Sequence, residues 1–355
     1  MKRLAVLGLC VLLVSPVMGK KKDKKKPEEI QVTELENLSW KPFWTTHIAC
    51  IKGCLDYLEM DVSDAWLYGG TGHAFVINIH EQLCPSGPTA WVTSKTFELG
   101  ENVGYRIEGV MAWSTDSNFA DVQSQAWDMV RAAIDEGYPC YGWELNIPEF
   151  YVITGYDEEG YYYSGPIRQG YKMPLPWEDL GKLEVQMIEM YAVKPGEPLD
   201  DRTTVAEALQ FALEIAESPE EWTFEGYASG PEAYDLWIAA LQDDTLFNNP
   251  ECVHGFKYNT QVWSECRAYA VEFLKQAKER LADEELDPLF EEAISRYDKV
   301  ARSLYRVTEL YPWYTGKPSF YTDKERIGKA IAALEVARDA ESMGLEALQK
   351  IVDAI

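Results

Sequence analysis

The chain changes pattern once, and that change limits its architecture more than any single motif. Over residues 39–195 helical and strand-like patterns alternate, whereas beyond Asp200 the periodicity is helical alone. The spacing predicts a first helix over residues 45–58, with Ile48, Ile51, Leu55 and Leu58 on one face. A short helical segment starts at Ser63 and ends at Gly69-Gly70, and the β-branched run 73–80 reads as a strand. A turn-dense loop at 84–89 precedes a strand at 105–113 and an amphipathic helix at 119–136, closed by Gly137. Strands at 150–156 and 161–164 flank an acidic turn, and 185–193 supplies the last strand before a Pro/Gly hinge at 194–198.

Beyond that hinge, helices are expected at 204–217, 229–241, 260–282, 287–310 and 322–354. Capping boxes at Thr204, Ser229 and Thr322, and Asp287-Pro288, mark four of the starts. The expected class is therefore α+β: a mixed domain at 39–195 followed by an all-α domain at 200–355.

The first residues carry a processing signal. Lys2 and Arg3 precede an apolar run from Leu4 to Val14, then Pro16, with Val17 and Gly19 suited to cleavage positions. The run is shorter than the roughly 20 residues a membrane-crossing helix needs. No other stretch is apolar enough, so the expectation is an exported protein with a signal at 1–19 and no transmembrane span. A disordered leader follows at 20–38, opening on six Lys and one Asp. The whole chain has a net charge of −26. Without Lys2, Arg3 and the leader's surplus of five positive charges, the remainder stands at −33. Such a surface repels phosphate backbones, which excludes a nucleic-acid partner.

Cys50, Cys54, Cys84, Cys140, Cys252 and Cys266 follow the signal. In an exported chain they permit up to three disulfides. Cys252 and Cys266 are close enough in sequence to staple a loop to a helix start, and Cys50 and Cys54 are badly placed to pair. No cysteine–histidine cluster has metal spacing, and no phosphate loop, dinucleotide fingerprint or Gly-x-Ser-x-Gly occurs, so neither a metal nor a cofactor is expected.

The sharpest chemical signal is Cys50, in the first turn of the first helix, where free N–H groups favour a thiolate. Around it stand Gly137-Tyr138-Pro139, the run Glu149 to Asp157, and Gly160 to Pro166, which together resemble the C39-like cysteine peptidase fold, a papain-like fold. His47 with Cys50, Gly69-Gly70-Thr71-Gly72-His73-Ala74-Phe75, and the Gly230, Ala233, Tyr234, Trp237 spacing look like the family that shares the butirosin-biosynthesis protein H N-terminal domain. A named member of that family is an acyltransferase that works through a cysteine.

Carried over by position, the resemblance makes Cys50 the nucleophile. The histidine it implies six residues before Gly155 is Glu149 here, and the acid it implies before Pro166 is Gly165. A carboxylate beside a thiol raises the thiol pKa and makes thiolate scarcer, so a Cys50–Glu149 dyad is a poor nucleophilic device. Two readings follow. In one, a catalytically degenerate relative binds a small cationic ligand or a peptide in the same cleft, with Glu149, His47, Trp143 and Glu144 as ligand-binding candidates. In the other, a cysteine acyltransferase or amide hydrolase uses Cys50, with His73 as a displaced base. Nothing in the sequence specifies an oligomeric state.

Overall fold

The computed structural model describes residues 31–355, apart from 169, 171, 244, 315 and 316. The expected signal at 1–19 and the Lys run at 20–26 lie outside the described residues. The leader expected through residue 38 gives way to structure sooner: Thr33–Glu34 (β1) pairs with Tyr156 and Gly155, and Leu35 and Leu38 are buried. Two leucines in a polar stretch suffice to fasten it to the body.

Val32–Ile355 form one compact unit of mixed helix and sheet. Helix α1 (Thr46–Tyr57) has ten of its twelve residues buried, Thr46 through Leu55. Such a helix is enclosed on all sides, not half-solvated. Ser63 caps α2 (Asp64–Gly70) by accepting from Trp66 N–H. The run expected as a strand at 73–80 is mostly not one. Gly72 turns the backbone at φ +72°, His73–Phe75 make a single 3-10 turn, and only Asn78–His80 (β2) is extended. A short apolar run that is buried throughout has no alternation to separate strand from helix.

Next come α3 (Ser94–Val103), which the sequence pattern did not announce, then β3 (Tyr105–Trp113) and α4 (Phe119–Asp135). Strand β4 (Cys140–Trp143), also unannounced, precedes β5 (Phe150–Tyr156), β6 (Gly160–Ser164), β7 (Leu175–Pro176) and β8 (Met187–Pro195). These strands form an antiparallel sheet in the order β3-β8-β4-β5-β6-β7, with β1 added to β5. Helix α1 lies against β5, β4 and β8.

The later part is not helix alone. After α5 (Asp201–Glu217) and α6 (Pro219–Trp222), Tyr227–Ser229 (β9) pairs antiparallel with β2, reaching back to the first half of the chain. Then follow α7 (Gly230–Gln242), α8 (Pro250–Leu281), α9 (Asp287–Leu310) and α10 (Lys324–Ala354).

Three helices start on caps other than those expected. Asp200 accepts from Thr203 N–H at 3.0 Å, Asn249 from Glu251 N–H at 3.0 Å, and Asp323 from Glu325 N–H at 3.1 Å. Ser229 instead donates to the Ile77 carbonyl at 2.8 Å. Because α8 begins at Pro250, Cys252 and Cys266 sit on one helix, fourteen residues and about 21 Å apart along its axis, and cannot bridge. All six described cysteines are free thiols.

A buried ion pair within the later part of the chain also reaches back to the first part. Arg267 on α8 and Glu341 on α10 are 0% and 1% exposed. Arg267 Nε donates to Glu341 Oε2 at 2.8 Å and Nη2 to Oε1 at 2.9 Å. Its Nη1 donates to the carbonyls of Ala74 and Val76 at 2.8 and 2.9 Å, and Tyr234 on α7 donates to Glu341 Oε2 at 3.0 Å. Removing one partner strands a buried charge, which costs about 3–5 kcal/mol, whereas replacing both by apolar residues costs less. Urea unfolding of Glu341→Leu, Arg267→Met and the double variant tests this. The double variant is expected to be more stable than the worse single change, and additive losses would contradict it.

Candidate functional site

The N-terminal end of α1 is held by side chains from distant elements. Thr45, its N-cap, makes no side-chain cap of its own. A carboxylate from α8 does that work: Glu265 Oε1 accepts from Trp44 N–H at 2.9 Å, Thr45 N–H at 3.3 Å and Tyr68 Oη at 2.7 Å. On the sheet side, Thr46 Oγ1 donates to Glu149 Oε2 at 2.5 Å and accepts from Phe150 N–H at 3.2 Å. The Tyr258 hydroxyl lies 3.1 Å from both Glu149 Oε2 and the Trp44 carbonyl.

Each carboxylate is thus gripped by one oxygen. Glu149 Oε1 and Glu265 Oε2 have no partner among the described residues, and neither is sealed from solvent. Both side chains are half-buried, and the loss of hydration lifts each from 4.5 to about 7 against the hydroxyl and amide donors.

Cys50 stands one turn further in, fully buried. Burial, then Cys54, then Glu149 push its thiol well above the ordinary value. Carboxylates already crowd the approach to the helix N-terminus, at Trp44, Thr45 and the Thr46 hydroxyl, and no solvent reaches the sulfur.

The structure does not pair Cys50 with His73. His73 is buried in its 3-10 turn, edge-on to Tyr68 and Trp91, with Nδ1 3.7 Å from the Sγ of Cys266. Burial holds His73 down at about 4 and lifts Cys266 to about 12, so both are neutral and form no ion pair. His47 stacks on Phe150 at 4.5 Å and bonds Tyr141 Oη through Nε2 at 3.0 Å; burial, then His73, depress it to about 3. His47 is therefore neutral and packed between Phe150 and Tyr141.

The remaining candidates separate. Trp143 is buried against Phe150. Glu144 sits at φ +55° and accepts from Glu184 and Val185 N–H, both at 2.8 Å, pinning the approach to β8. Among the described residues neither hydrogen-bonds the Glu149 carboxylate, although Glu144 N–H donates to the Glu149 backbone carbonyl at 2.8 Å. Gly69-Gly70-Thr71-Gly72 is a packing turn: a Cβ on Gly69 would fall 1.9 Å from the Phe273 ring, and Gly72 needs its positive φ.

What the sequence reading missed lies beside Glu149. Trp44, Tyr258 and Trp313 form a half-buried aromatic cluster, with ring centroids 5.1 Å apart for Trp44–Trp313, 6.5 Å for Trp44–Tyr258 and 6.3 Å for Tyr258–Trp313. His254 lies over its edge, 5.4 Å from Trp313. The seven-residue spacing of Tyr258 and Glu265, two turns of one helix face, was the available signal. It was hidden because the helix was expected to begin only at Thr260.

Two surface grooves lie elsewhere, one lined by Leu213, Ala216, Pro231 and Leu345, another by Met60, Trp66, Pro198 and Arg280; neither includes Cys50 or Glu149. Among the described residues no group of three or more His, Cys, Asp or Glu is placed to hold a metal ion. None of the described helices is long and apolar enough to cross a membrane.

Two measurements test this arrangement. Iodoacetamide at about pH 8 is expected to leave Cys50 unmodified in the folded protein and to label it only after unfolding; native-state labelling would contradict a sealed thiol. The buried carboxyls and imidazoles make stability depend on pH. Glu149, Glu265 and Glu189, all lifted by burial to about 7, bind more protons folded than unfolded, so stability rises as pH falls from about 7 toward 4.5. His47 and His73, depressed, act oppositely below 6.5. Urea midpoints should therefore rise from about pH 8 to 6.5 and then flatten. Glu149→Gln should reduce that rise, and an unchanged slope would remove Glu149 from it. No family model matches this chain, and no curated protein aligns with it.

Proposed function

We propose that this protein is a binding relative of C39-like cysteine enzymes, and that the end of α1 takes an organic cation instead of carrying out cysteine chemistry. The fold-level part of this reading rests on the quoted motifs and on the packing of the Cys-bearing α1 against the sheet. The functional part rests on one observation. Glu149, which stands where the resemblance implies a catalytic histidine, has one oxygen fixed by Thr46 and Tyr258 and the other without a partner among the described residues, beside half-buried Trp44, Tyr258 and Trp313.

A carboxylate next to aromatic faces suits a quaternary or alkylated ammonium group, or the cationic end of a peptide. Charge attraction and the ring quadrupoles act together, and the low polarity of the rings strengthens both. Lys257 already lays its ammonium over Trp313, 5.0 Å from the ring centre, so that face accepts a positive charge. The acidic body favours the approach of cations from a distance. The cysteine-enzyme reading has no comparable support, because Cys50 is sealed and has no imidazole partner.

Titration calorimetry with benzyltrimethylammonium, and with a neutral isostere of the same shape, tests the proposal. Binding of the cation alone is expected. Glu149→Gln, whose amide oxygen still accepts from Thr46 and Tyr258, should weaken it about tenfold, or about 1.4 kcal/mol. Trp313→Ala should weaken it several-fold, and affinity should fall from about pH 8 to 6 as Glu149 takes a proton. Equal binding by Glu149→Gln, or by the neutral isostere, would sink the idea.

A further inference from the structure

Strand β3 has one neighbour, β8, and its other edge is bare among the described residues. The register runs from Tyr105 opposite Pro195 to Trp113 opposite Met187. Ser114 N–H donates to the Gln186 carbonyl at 2.9 Å and Gly196 N–H to the Gly104 carbonyl at 2.7 Å, so the bonds toward β8 fall on even-numbered residues. In an antiparallel ladder the odd-numbered residues then turn their N–H and C=O groups outward. Trp113 N–H is taken by Asp116 Oδ2 at 2.8 Å, while those of Ile107, Gly109 and Met111 have no partner among the described residues.

The usual protections of an edge are missing. No proline, bulge or outward lysine interrupts the stretch. Gly109 is exposed, and Met111 and Trp113 are 58% and 47% exposed. The strand's own charges, Arg106 and Glu108, lie on the even-numbered face, and Glu108 is paired with Lys194 at 2.8 Å.

We propose that this edge is an interface for a second copy of the chain, which adds its own β3 antiparallel across a two-fold axis at Gly109. The pairing is self-complementary. Ile107 faces Met111 of the second copy, Gly109 faces Gly109, and Met111 faces Ile107, each pair exchanging two backbone hydrogen bonds. Arg106 falls opposite Ala112 and Glu108 opposite Val110, so no like charges meet across the seam. Glycine at the axis is required from within: a Cβ there would lie 2.2 Å from Tyr191 Cδ1, and its absence leaves the central backbone bare. The net charge of −26 opposes association at long range, so the dimer strengthens with salt.

Sedimentation velocity across a concentration series, at low and moderate salt, tests the proposal on the full chain. A dimer that tightens with salt is expected. Met111→Pro removes an outward N–H at a position where an edge strand tolerates proline, and Met111→Lys places a charge on the edge. Each should weaken dimerisation at least about tenfold with an unchanged circular dichroism spectrum. The register is tested separately: facing Cα atoms about 5.5 Å apart are within disulfide reach. Oxidised Ile107→Cys/Met111→Cys should therefore form covalent dimers, and Ile107→Cys alone should not. A wild type that stays monomeric throughout, as a chain whose edge receives some other strand would, overturns the proposal. So does a folded Met111→Lys that dimerises as the wild type does, or cross-linking by the single variant.

Discussion

The structure turns on the salt bridge between Arg267 and Glu341. A guanidinium and a carboxylate taken wholly out of water are tolerable only when nearly every donor and acceptor finds a partner. Here the partners come from α7, α8, α10 and the turn at Ala74–Val76. Four segments are thereby fixed around one point. The opposite side of the same helix fixes the candidate site, because Glu265, two residues before Arg267, is turned by about 200° around α8 and grips the N-terminal end of α1. The orientation of α8 that satisfies the core charge therefore also sets where Glu265 and Tyr258 meet Trp44, Thr45 and Glu149.

Much of this architecture was legible in the sequence. The strands at β3, β5 and β6 and the helices α2, α4 and α9 have alternation, caps or breakers strong enough to mark them locally. The run at 73–80 was not legible, since its enclosure is a tertiary fact: Gly72 turns it and Arg267 binds its carbonyls. β9 is three residues long and exists because β2 offers an edge. Thr204 and Thr322 look like caps, but neighbouring acidic residues, Asp200 four positions before the first and Asp323 directly after the second, hold the first turns more directly.

The candidate site was legible in one half. Glu149 stands out from the sequence because a family pattern implies histidine there, and a carboxylate next to a thiol suppresses the thiolate. Its surroundings did not stand out. Trp44, Tyr258, Glu265 and Trp313 are brought together by helix packing across more than 200 residues of chain. Local periodicity has no access to such contacts. Cys50 itself was misleading for a physical reason: a helix N-terminus activates a thiol only where water reaches it, and here burial and the nearby Glu149 carboxylate disfavour the thiolate instead.

The pairing of β2 with β9, together with the position of Glu341, bears on how the chain acquires its shape during synthesis. A nascent chain that has emerged only through residue 200 holds the whole seven-stranded sheet, yet β2 lacks its partner strand and α1 lacks its capping carboxylate. When Arg267 emerges, its counter-ion is still more than seventy residues behind. The first half therefore cannot settle ahead of the second in the stepwise manner of separate domains. Completion of this unit waits for α10, and until then apolar surface and an unpaired charge remain exposed together.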